Sequence, residues 1–268
     1  MLFRSEPDKV TDFPDPEENV LVPAGYTYFG QFIDHDITFD SSSSLIPENQ
    51  KAKPTNLRTP RLDLDCLYGD GPASQPYLYC SDGVKLLPTE ASANDLERNR
   101  LGLAIIGDKR NDENSIVSQL QLAFIKYHNA VVDVLRVQHS GLSNNELFIS
   151  ARNEVRWVYQ KLVVEDFLPR IIRKDVLADL QGRSKQERES RYALYTEDKR
   201  GNLPREFVAA AYRFGHSMVR TGYRMNGGAG NRFEIFPASD DFNEAPGDRS
   251  LLGFDPVPEN QKIDSWAR

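Results

Sequence analysis

Hydrophobic residues recur at helical spacing in two long segments of the chain. From Ser115 to about His139, apolar side chains occur every three or four residues, which predicts an amphipathic helix. The next helix is predicted from a capping box, in which Ser143 precedes Glu146 by three residues, and it is expected to stop at Pro169.

Two further helices are predicted, over Gly25–Phe39 and from Pro204 to Gly222. The second of these carries an apolar stripe along one side. A helix turns by about 100° per residue, which places His216 on the side opposite this stripe. The stripe consists of Phe207, Ala210, Ala211, Phe214 and Met218. Turn-rich connections separate the helices, and no strand of consequence is predicted. We therefore expect a mostly α fold with long irregular loops and little β structure.

The composition is typical of a folded globular chain. The 268 residues include 33 Lys and Arg against 40 Asp and Glu, a formal net charge of −7. No apolar run is long enough to predict a transmembrane segment, and no basic cluster indicates a nucleic-acid partner. Cys66 and Cys80 are too few for a disulfide framework, and the first residues do not resemble a signal peptide. Nothing in the sequence marks a second domain.

Two of the four histidines are candidates for chemistry, and His35 is the first. It lies between Asp34 and Asp36, and Gln31 is four residues earlier on the same helix face. Potential ligand side chains within one helix turn therefore point in several directions around the helix. Nearby aromatic residues indicate burial, where unpaired carboxylates are costly. The alternative is a solvent-exposed capping cluster.

His216 is the second candidate, because its predicted face is not the one that packs in the core. An imidazole there can serve as an axial metal ligand, with Arg213 one turn away for an anionic group. The alternative is an ordinary surface histidine. His128, in mid-helix, and His139, at a helix C-terminus, are expected to be structural.

Two polar clusters add candidate ligands. Thr59, Asp63 and Asp65 alternate along the chain and, with one further carboxylate, could supply much of the shell of about 6–8 oxygens that Ca²⁺ requires. Alone, this pattern is more often a polar loop face. Residues 107–114 precede the helix at Ser115, a common place for a functional arginine and carboxylate and equally for an acidic cap.

Four motifs occur in a fixed order along the chain: GQFIDHD at 30–36, TPRLDLDCLYG at 59–69, GDKRNDE at 107–113 and YRFGH at 212–216. Together they resemble the animal-type haem peroxidases of the peroxidase–cyclooxygenase superfamily, over about residues 20–220. The resemblance implies a mostly helical domain that holds haem b between two helices. Because catalytic domains of that family are longer, residues 1–268 are expected to form one partial catalytic domain that lacks its C-terminal part.

The resemblance implies roles on both sides of the haem. His35 resembles the distal histidine that moves a proton of hydrogen peroxide, and Arg110 resembles the distal arginine that stabilises developing negative charge. Gln31 resembles a further residue of the distal pocket. His216 resembles the proximal ligand of the iron. The family asparagine that hydrogen-bonds this ligand would lie beyond Arg268.

Covalent and calcium links are also implied by the resemblance. Asp34 and Glu113 match the two carboxylates that form ester bonds to haem methyl groups in many members. Asn114 stands where some mammalian members have a methionine that forms a third link, so that link is not expected. The implied calcium ligands are Asp36, Thr59, Asp63, Asp65 and the backbone carbonyl of Arg61.

Three functions are open from the sequence. The first is a haem peroxidase, whose partners are hydrogen peroxide and a small organic or halide donor. A fatty-acid dioxygenase of the same superfamily needs a radical-forming tyrosine three residues before the proximal histidine, where this chain has Arg213. Tyr212 lies four residues before it, which favours the peroxidase. The third is a non-catalytic, calcium-stabilised adhesion or matrix module, and the retention of all four distal and proximal residues argues against it.

Overall fold

The computed structural model describes residues 21–39, 56–88, 90, 93–184, 186–187, 203–226, 232–235 and 250–263. The α-helices are α1 (Gly25–Ile37), α2 (Asp65–Tyr68), α3 (Ser115–Gln138), α4 (Asn144–Leu162), α5 (Leu168–Ile171), α6 (Lys174–Gln181) and α7 (Arg205–Ala209). Shorter elements are a π-helical turn, Val163–Phe167, and 3₁₀ segments at Pro76–Leu78, Lys109–Asp112, Ala211–Met218 and Glu259–Gln261. Strands β1 (Gly222–Arg224) and β2 (Arg232–Glu234) pair antiparallel.

The prediction of a mostly α fold is confirmed. No helix in these ranges is both long and apolar enough to cross a bilayer.

Aromatic side chains anchor one face of α1 in the core. Phe29 and Phe32 are almost fully buried. The Phe32 ring stacks on Phe124 of α3 with ring centroids 4.9 Å apart, and Phe29 meets Tyr159 of α4 edge-on at 6.2 Å. At about 100° per residue, Asp36 falls on this same face, and it too is buried. The opposite face of α1 is left for the cavity described below.

The starts predicted for α3 and α4 are correct, but the end predicted for α4 is wrong. The Ser143 hydroxyl accepts from the Glu146 N–H while the Glu146 carboxylate accepts from the Ser143 N–H, which completes the capping box of α4. Asn114 caps α3 through its Oδ1. The helix does not stop at Pro169, because it passes through the π-helical turn into α5. Pro169 is the second residue of α5, directly after the π-helical turn in which the Leu168 N–H donates to the Val163 carbonyl.

The fourth predicted helix is broken at Ala210. There the backbone has φ −132° and ψ −66°, and Ala211–Met218 continues as a 3₁₀ segment, at about 120° per residue. The predicted division into two faces is therefore wrong. Phe214 and Met218, assigned to the core stripe, line one cavity together with His216.

The hairpin of β1 and β2 forms a second core that the sequence did not predict. Tyr223 and Phe233 are buried in it, and Tyr223 meets Tyr28 of α1 edge-on at 5.3 Å. A hairpin with three residue pairs is marginal alone, so its packing against α1 stabilises it. Strands of three residues are also too short to be predicted from an alternation of apolar and polar residues. Two of the turn-rich connections expected from the sequence lie outside the described residues: the serine- and proline-containing stretch 41–54 and the glycines at 227, 228 and 230.

Residues 250–263 close over the start of α3. The Ser115 N–H donates to the Leu251 carbonyl at 2.9 Å, and the Phe254 N–H donates to the Asp112 carbonyl at 2.8 Å. Between them, Gly253 approaches so closely that a Cβ would lie 1.7 Å from the Asp112 carbonyl oxygen. Only glycine fits this position without a backbone shift.

We expect Gly253→Ala to lower the free energy of unfolding by about 1–3 kcal/mol, because the backbone at Asp112 must move. Urea unfolding measures the change. Gly141→Ala is the matched control, since its Cβ would meet nothing within 4 Å, and it should change stability by less than about 0.5 kcal/mol. Equal effects of the two substitutions would contradict the packing described.

Candidate active site

A cavity of about 410 Å³ lies between α1 and the 3₁₀ segment Ala211–Met218. This volume is in the range of about 300–1,000 Å³ that is usual for ligand pockets. The structure brings to it the polar residues predicted for the distal and proximal sides: Gln31, Asp34, His35, Arg110, Glu113, Arg213 and His216. Asn114, for which no haem link is expected, lines it as well. The predicted calcium ligands do not line it.

His35 is buried and uncharged at neutral pH. Its Nδ1 lies 2.7 Å from Oδ1 of Asn111. Burial, and then the positive charge of Arg110, lower the pKa of His35 from 6.5 to about 4. The exposed capping cluster considered above is therefore wrong for this histidine, which is only 4% exposed.

Arg110 is held rigidly beside the C-terminal end of α1. Its Nε and Nη2 donate to the two carboxylate oxygens of Asp108 at 3.0 and 2.7 Å, and Nη2 also donates to the Thr38 carbonyl at 2.6 Å. Burial acts to raise the pKa of Asp108, but the hydrogen bonds and charge of Arg110 outweigh it, and the net pKa is lowered. The pair therefore stays ionised.

Gln31 is oriented by two neighbours on the loop that leads into α3. Its Nε2 donates to Oε2 of Glu113 at 2.9 Å, and Nδ2 of Asn114 donates to its Oε1 at 3.1 Å. Burial raises the pKa of Glu113 above its usual value. Because Oδ1 of Asn114 caps α3, this amide is fixed at both ends.

Two contacts join the 3₁₀ segment directly to α1. The Tyr212 hydroxyl donates to the Gly30 carbonyl at 3.0 Å, and Nη1 of Arg213 pairs with Oδ2 of Asp34 at 2.9 Å. His216 is exposed, and its Nδ1 lies 2.8 Å from the Arg213 carbonyl oxygen. Since a carbonyl can only accept, Nδ1 carries a proton, and in the neutral imidazole the lone pair then lies on Nε2.

Of the predicted calcium ligands, Asp63 and Asp65 lie close enough to the buried Asp36 of α1 for their charges to act on it. Both carboxylate oxygens of Asp36 are buried and have no hydrogen-bond partner at bonding geometry among the described residues, although the backbone N–H groups of Leu64 and Cys66 lie close enough to oppose the rise in its pKa. Burial, and then the charge of Asp63, raise the pKa of Asp36 to about 7. Oγ1 of Thr59 donates to Asp63 at 2.8 Å, and the Arg61 carbonyl accepts from Gln160 at 3.1 Å. The described residues contain no cluster of three His, Cys, Asp or Glu side chains able to hold a metal.

The other two histidines are placed as expected. His128 is fully buried, with Nδ1 3.1 Å from the Tyr68 hydroxyl and Nε2 2.9 Å from the Val84 carbonyl. Burial lowers its pKa from 6.5 to about 4. His139 caps the C-terminus of α3 and is exposed. Neither lines the cavity.

Sequence reasoning missed Asn111 and Gln121. The position of Asn111, directly after Arg110 in the third motif, could have marked it as a residue of the site. Its amide Nδ2 donates to Oε1 of Gln121 at 2.9 Å. That contact depends on how the turn Lys109–Asp112 enters α3, and no periodicity of the sequence indicates it.

Residues 50–255 match the family model of the animal haem peroxidases. Among similar curated proteins, the Dual oxidase of Drosophila melanogaster is 28% identical over 126 residues, 47% of this chain and 7% of its own length. Alpha-dioxygenase 1 of Arabidopsis thaliana is 34% identical over 122 residues, 46% of this chain and 19% of its own length. Dual oxidase 2 of Rattus norvegicus is 25% identical over 86% of this chain, which is 15% of its own length. The chain thus spans a small part of these relatives.

Solved structures agree with the fold. Peroxidase A from Dictyostelium discoideum matches with a TM-score of 0.57 and 17% identity, over 97% of this chain and 56% of that one. Fatty acid alpha-dioxygenase from Arabidopsis thaliana matches with a TM-score of 0.54 and 20% identity, over 91% of this chain and 43% of that one. At these identities the similarity concerns the fold alone.

The burial of His128 predicts a loss of stability in acid. Between about pH 6.5 and pH 4 the unfolded chain binds a proton on this histidine and the folded chain does not, so stability falls as the pH falls. The unfolded chain binds up to one more proton than the folded chain at His128, and His128→Leu should remove this excess. The slope of the unfolding free energy against pH should then fall by up to about 1.4 kcal/mol per pH unit. Denaturant unfolding across this range measures the slope. An unchanged slope would show that His128 is protonated in the folded chain.

Proposed function

Because the chain belongs to the animal haem peroxidase family, we propose that it forms part of a haem-dependent peroxidase domain that reduces hydrogen peroxide and oxidises a small organic or halide donor. Members of the wider peroxidase–cyclooxygenase superfamily are oxidoreductases. One observation carries the proposal: His35 and His216 line the same cavity from the two elements that enclose it.

The residues at this cavity fit a haem. His216 would hold the haem iron through Nε2, because its Nδ1–H donates to the Arg213 carbonyl and leaves the lone pair of the neutral ring on Nε2. Aromatic and aliphatic side chains, including Phe167, Phe214 and Met218, supply walls for a flat apolar group. Bound haem would supply the redox-active iron at which the O–O bond of peroxide is cleaved.

His35 is proposed to move the proton. A neutral imidazole can accept a proton from the peroxide oxygen that approaches it and return the proton to the oxygen that leaves as water. The low pKa of His35 keeps the ring in this neutral form over the physiological range. An imidazole that stayed charged could not act as the base.

Arg110 and Gln31 are proposed to orient peroxide and to stabilise negative charge on the departing oxygen. The guanidinium of Arg110 is fixed by Asp108 and the Thr38 carbonyl, so it need not reorganise during the reaction. Asp34 and Glu113 are proposed, as in the resemblance, for ester links to the haem.

A fatty-acid dioxygenase is the second candidate, because Tyr212 lines the cavity although it lies four residues before His216. Against it, the Tyr212 hydroxyl donates to the Gly30 carbonyl, and burial raises its pKa. Both features disfavour loss of its proton. Oxygen uptake with a fatty acid and no peroxide, which Tyr212→Phe abolishes, would favour the dioxygenase.

Two substitutions test the roles of the histidines. We expect His216→Ala to abolish retention of haem, measured by the Soret absorption after gel filtration. His35→Ala should retain haem but slow the reaction with peroxide by about 10²- to 10⁴-fold in rapid-mixing experiments, because it removes a general base.

His139→Ala is the control, since this exposed histidine does not line the cavity, and it should leave both measurements unchanged. Equal loss of haem in the His35 and His216 variants would contradict the assigned roles. A purified wild-type chain that binds no haem would instead favour the non-catalytic module.

We further propose that Ca²⁺ binds at Asp36, whose two buried oxygens have no hydrogen-bond partner at bonding geometry among the described residues. Ca²⁺ should raise the melting temperature of the wild-type chain, because a ligand that binds only the folded state stabilises it. Asp36→Asn should lose this shift, whereas Asp70→Asn, at an exposed position of the same region, should keep it. A shift that survives in the Asp36 variant would rule out the site.

A further inference from the structure

A chain of two buried amides lies behind the imidazole of His35. Nδ1 of His35 is 2.7 Å from Oδ1 of Asn111, and Nδ2 of Asn111 is 2.9 Å from Oε1 of Gln121. His35 is 4% exposed, and Asn111 and Gln121 are 0% exposed. Neither amide lines the cavity, so neither can touch a substrate there.

The direction of these hydrogen bonds fixes the tautomer of the imidazole. The amide nitrogen of Asn111 is used as a donor to Gln121, so its oxygen faces His35 and can only accept. Nδ1 of His35 therefore carries the proton. Nε2 then keeps the lone pair, as a base that faces the cavity must.

The charged groups near His35 do not fix the tautomer. Arg110 donates to the His35 backbone carbonyl at 3.1 Å, and Asp108 and Asp34 influence the ring through their charge. The hydrogen-bond partner of the ring is a neutral amide. It orders the imidazole without adding a negative charge that would hold a second proton.

One short turn carries both Arg110 and Asn111. In Lys109–Asp112, which is capped by the Asp108 side chain, Arg110 lines the cavity and the next residue, Asn111, is buried behind His35. Successive residues of a 3₁₀ turn point about 120° apart, so adjacent side chains can reach different sides of α1.

We propose that Asn111, itself held by Gln121, is a positioning residue that keeps His35 in the Nδ1–H tautomer, with Nε2 directed into the cavity. The inference deepens the proposed function and rests on the role of His35 as the base. It concerns how the base is prepared, and it has a readout that requires no haem.

Nitrogen-15 NMR of the purified chain without haem measures the tautomer of His35 directly. The wild-type chain should show a protonated Nδ1 and an unprotonated Nε2 at neutral pH. Asn111→Leu, which keeps a similar volume but no acceptor, should lose this single tautomer. Asn111→Asp, which keeps an acceptor oxygen but adds a negative charge, should keep Nδ1 protonated and release the proton of Nε2 only at a higher pH than the wild-type chain. Gln121→Met should weaken the preference, because Asn111 is then free to turn its amide.

Gln119→Leu is the matched control. Gln119 is a buried amide on the same helix, but it bonds to the Asn94 carbonyl and the Ile263 N–H. This variant should keep the wild-type tautomer. After haem is added, Asn111→Leu should react with peroxide at least about 10-fold more slowly than wild type, with unchanged haem retention.

Two results would overturn the inference. One is an Nε2–H tautomer in the wild-type chain. It would mean that both amides are turned around, so that Nε2 of Gln121, which is buried and has no partner among the described residues, donates to Asn111, and Asn111 donates to His35. The other is Asn111→Leu with an unchanged tautomer or an unchanged peroxide rate. A wild-type chain that shows the expected tautomer but no peroxide reaction would refute the proposed function and leave the positioning intact.

Discussion

The site depends on the way α1 is fixed between the aromatic core and the 3₁₀ segment Ala211–Met218. Phe29 and Phe32 hold one face of the helix, and full burial of such side chains stabilises by about 1.5–3 kcal/mol each. The Arg213–Asp34 ion pair on the other face contributes less, about 0–1 kcal/mol, because Arg213 is 42% exposed. Packing therefore holds the helix in place, and the ion pair with the Tyr212 hydrogen bond sets how the 3₁₀ segment meets it.

The polar residues at the cavity are stabilised in pairs. Arg110 is neutralised by Asp108, Asp34 by Arg213, and Glu113 accepts a hydrogen bond from Gln31. Each buried charge thus has a partner, which offsets the cost of removing it from water. His35 differs, because burial keeps it neutral and its ring contacts an amide. Asp36, which lies outside the cavity on the opposite face of α1, differs from all of these, since its oxygens have no hydrogen-bond partner at bonding geometry among the described residues.

Features that depend on local sequence were predictable, and features that depend on tertiary contacts were not. Spacing of four residues placed Gln31 and His35 on one face of α1, and the Ser143 capping box marked the start of α4. The break at Ala210 gave no signal, so the side on which His216 lies was predicted for the wrong reason. Likewise, the contact between Asn111 and Gln121 spans ten residues and requires the turn before α3 to be folded.

The most direct test is a crystal structure of the chain reconstituted with haem. We expect the porphyrin in the cavity between α1 and the 3₁₀ segment, with Nε2 of His216 bound to the iron and Nε2 of His35 facing the opposite side of the ring without binding it. A porphyrin outside this cavity, or iron bound by His35 in place of His216, would contradict the proposed site.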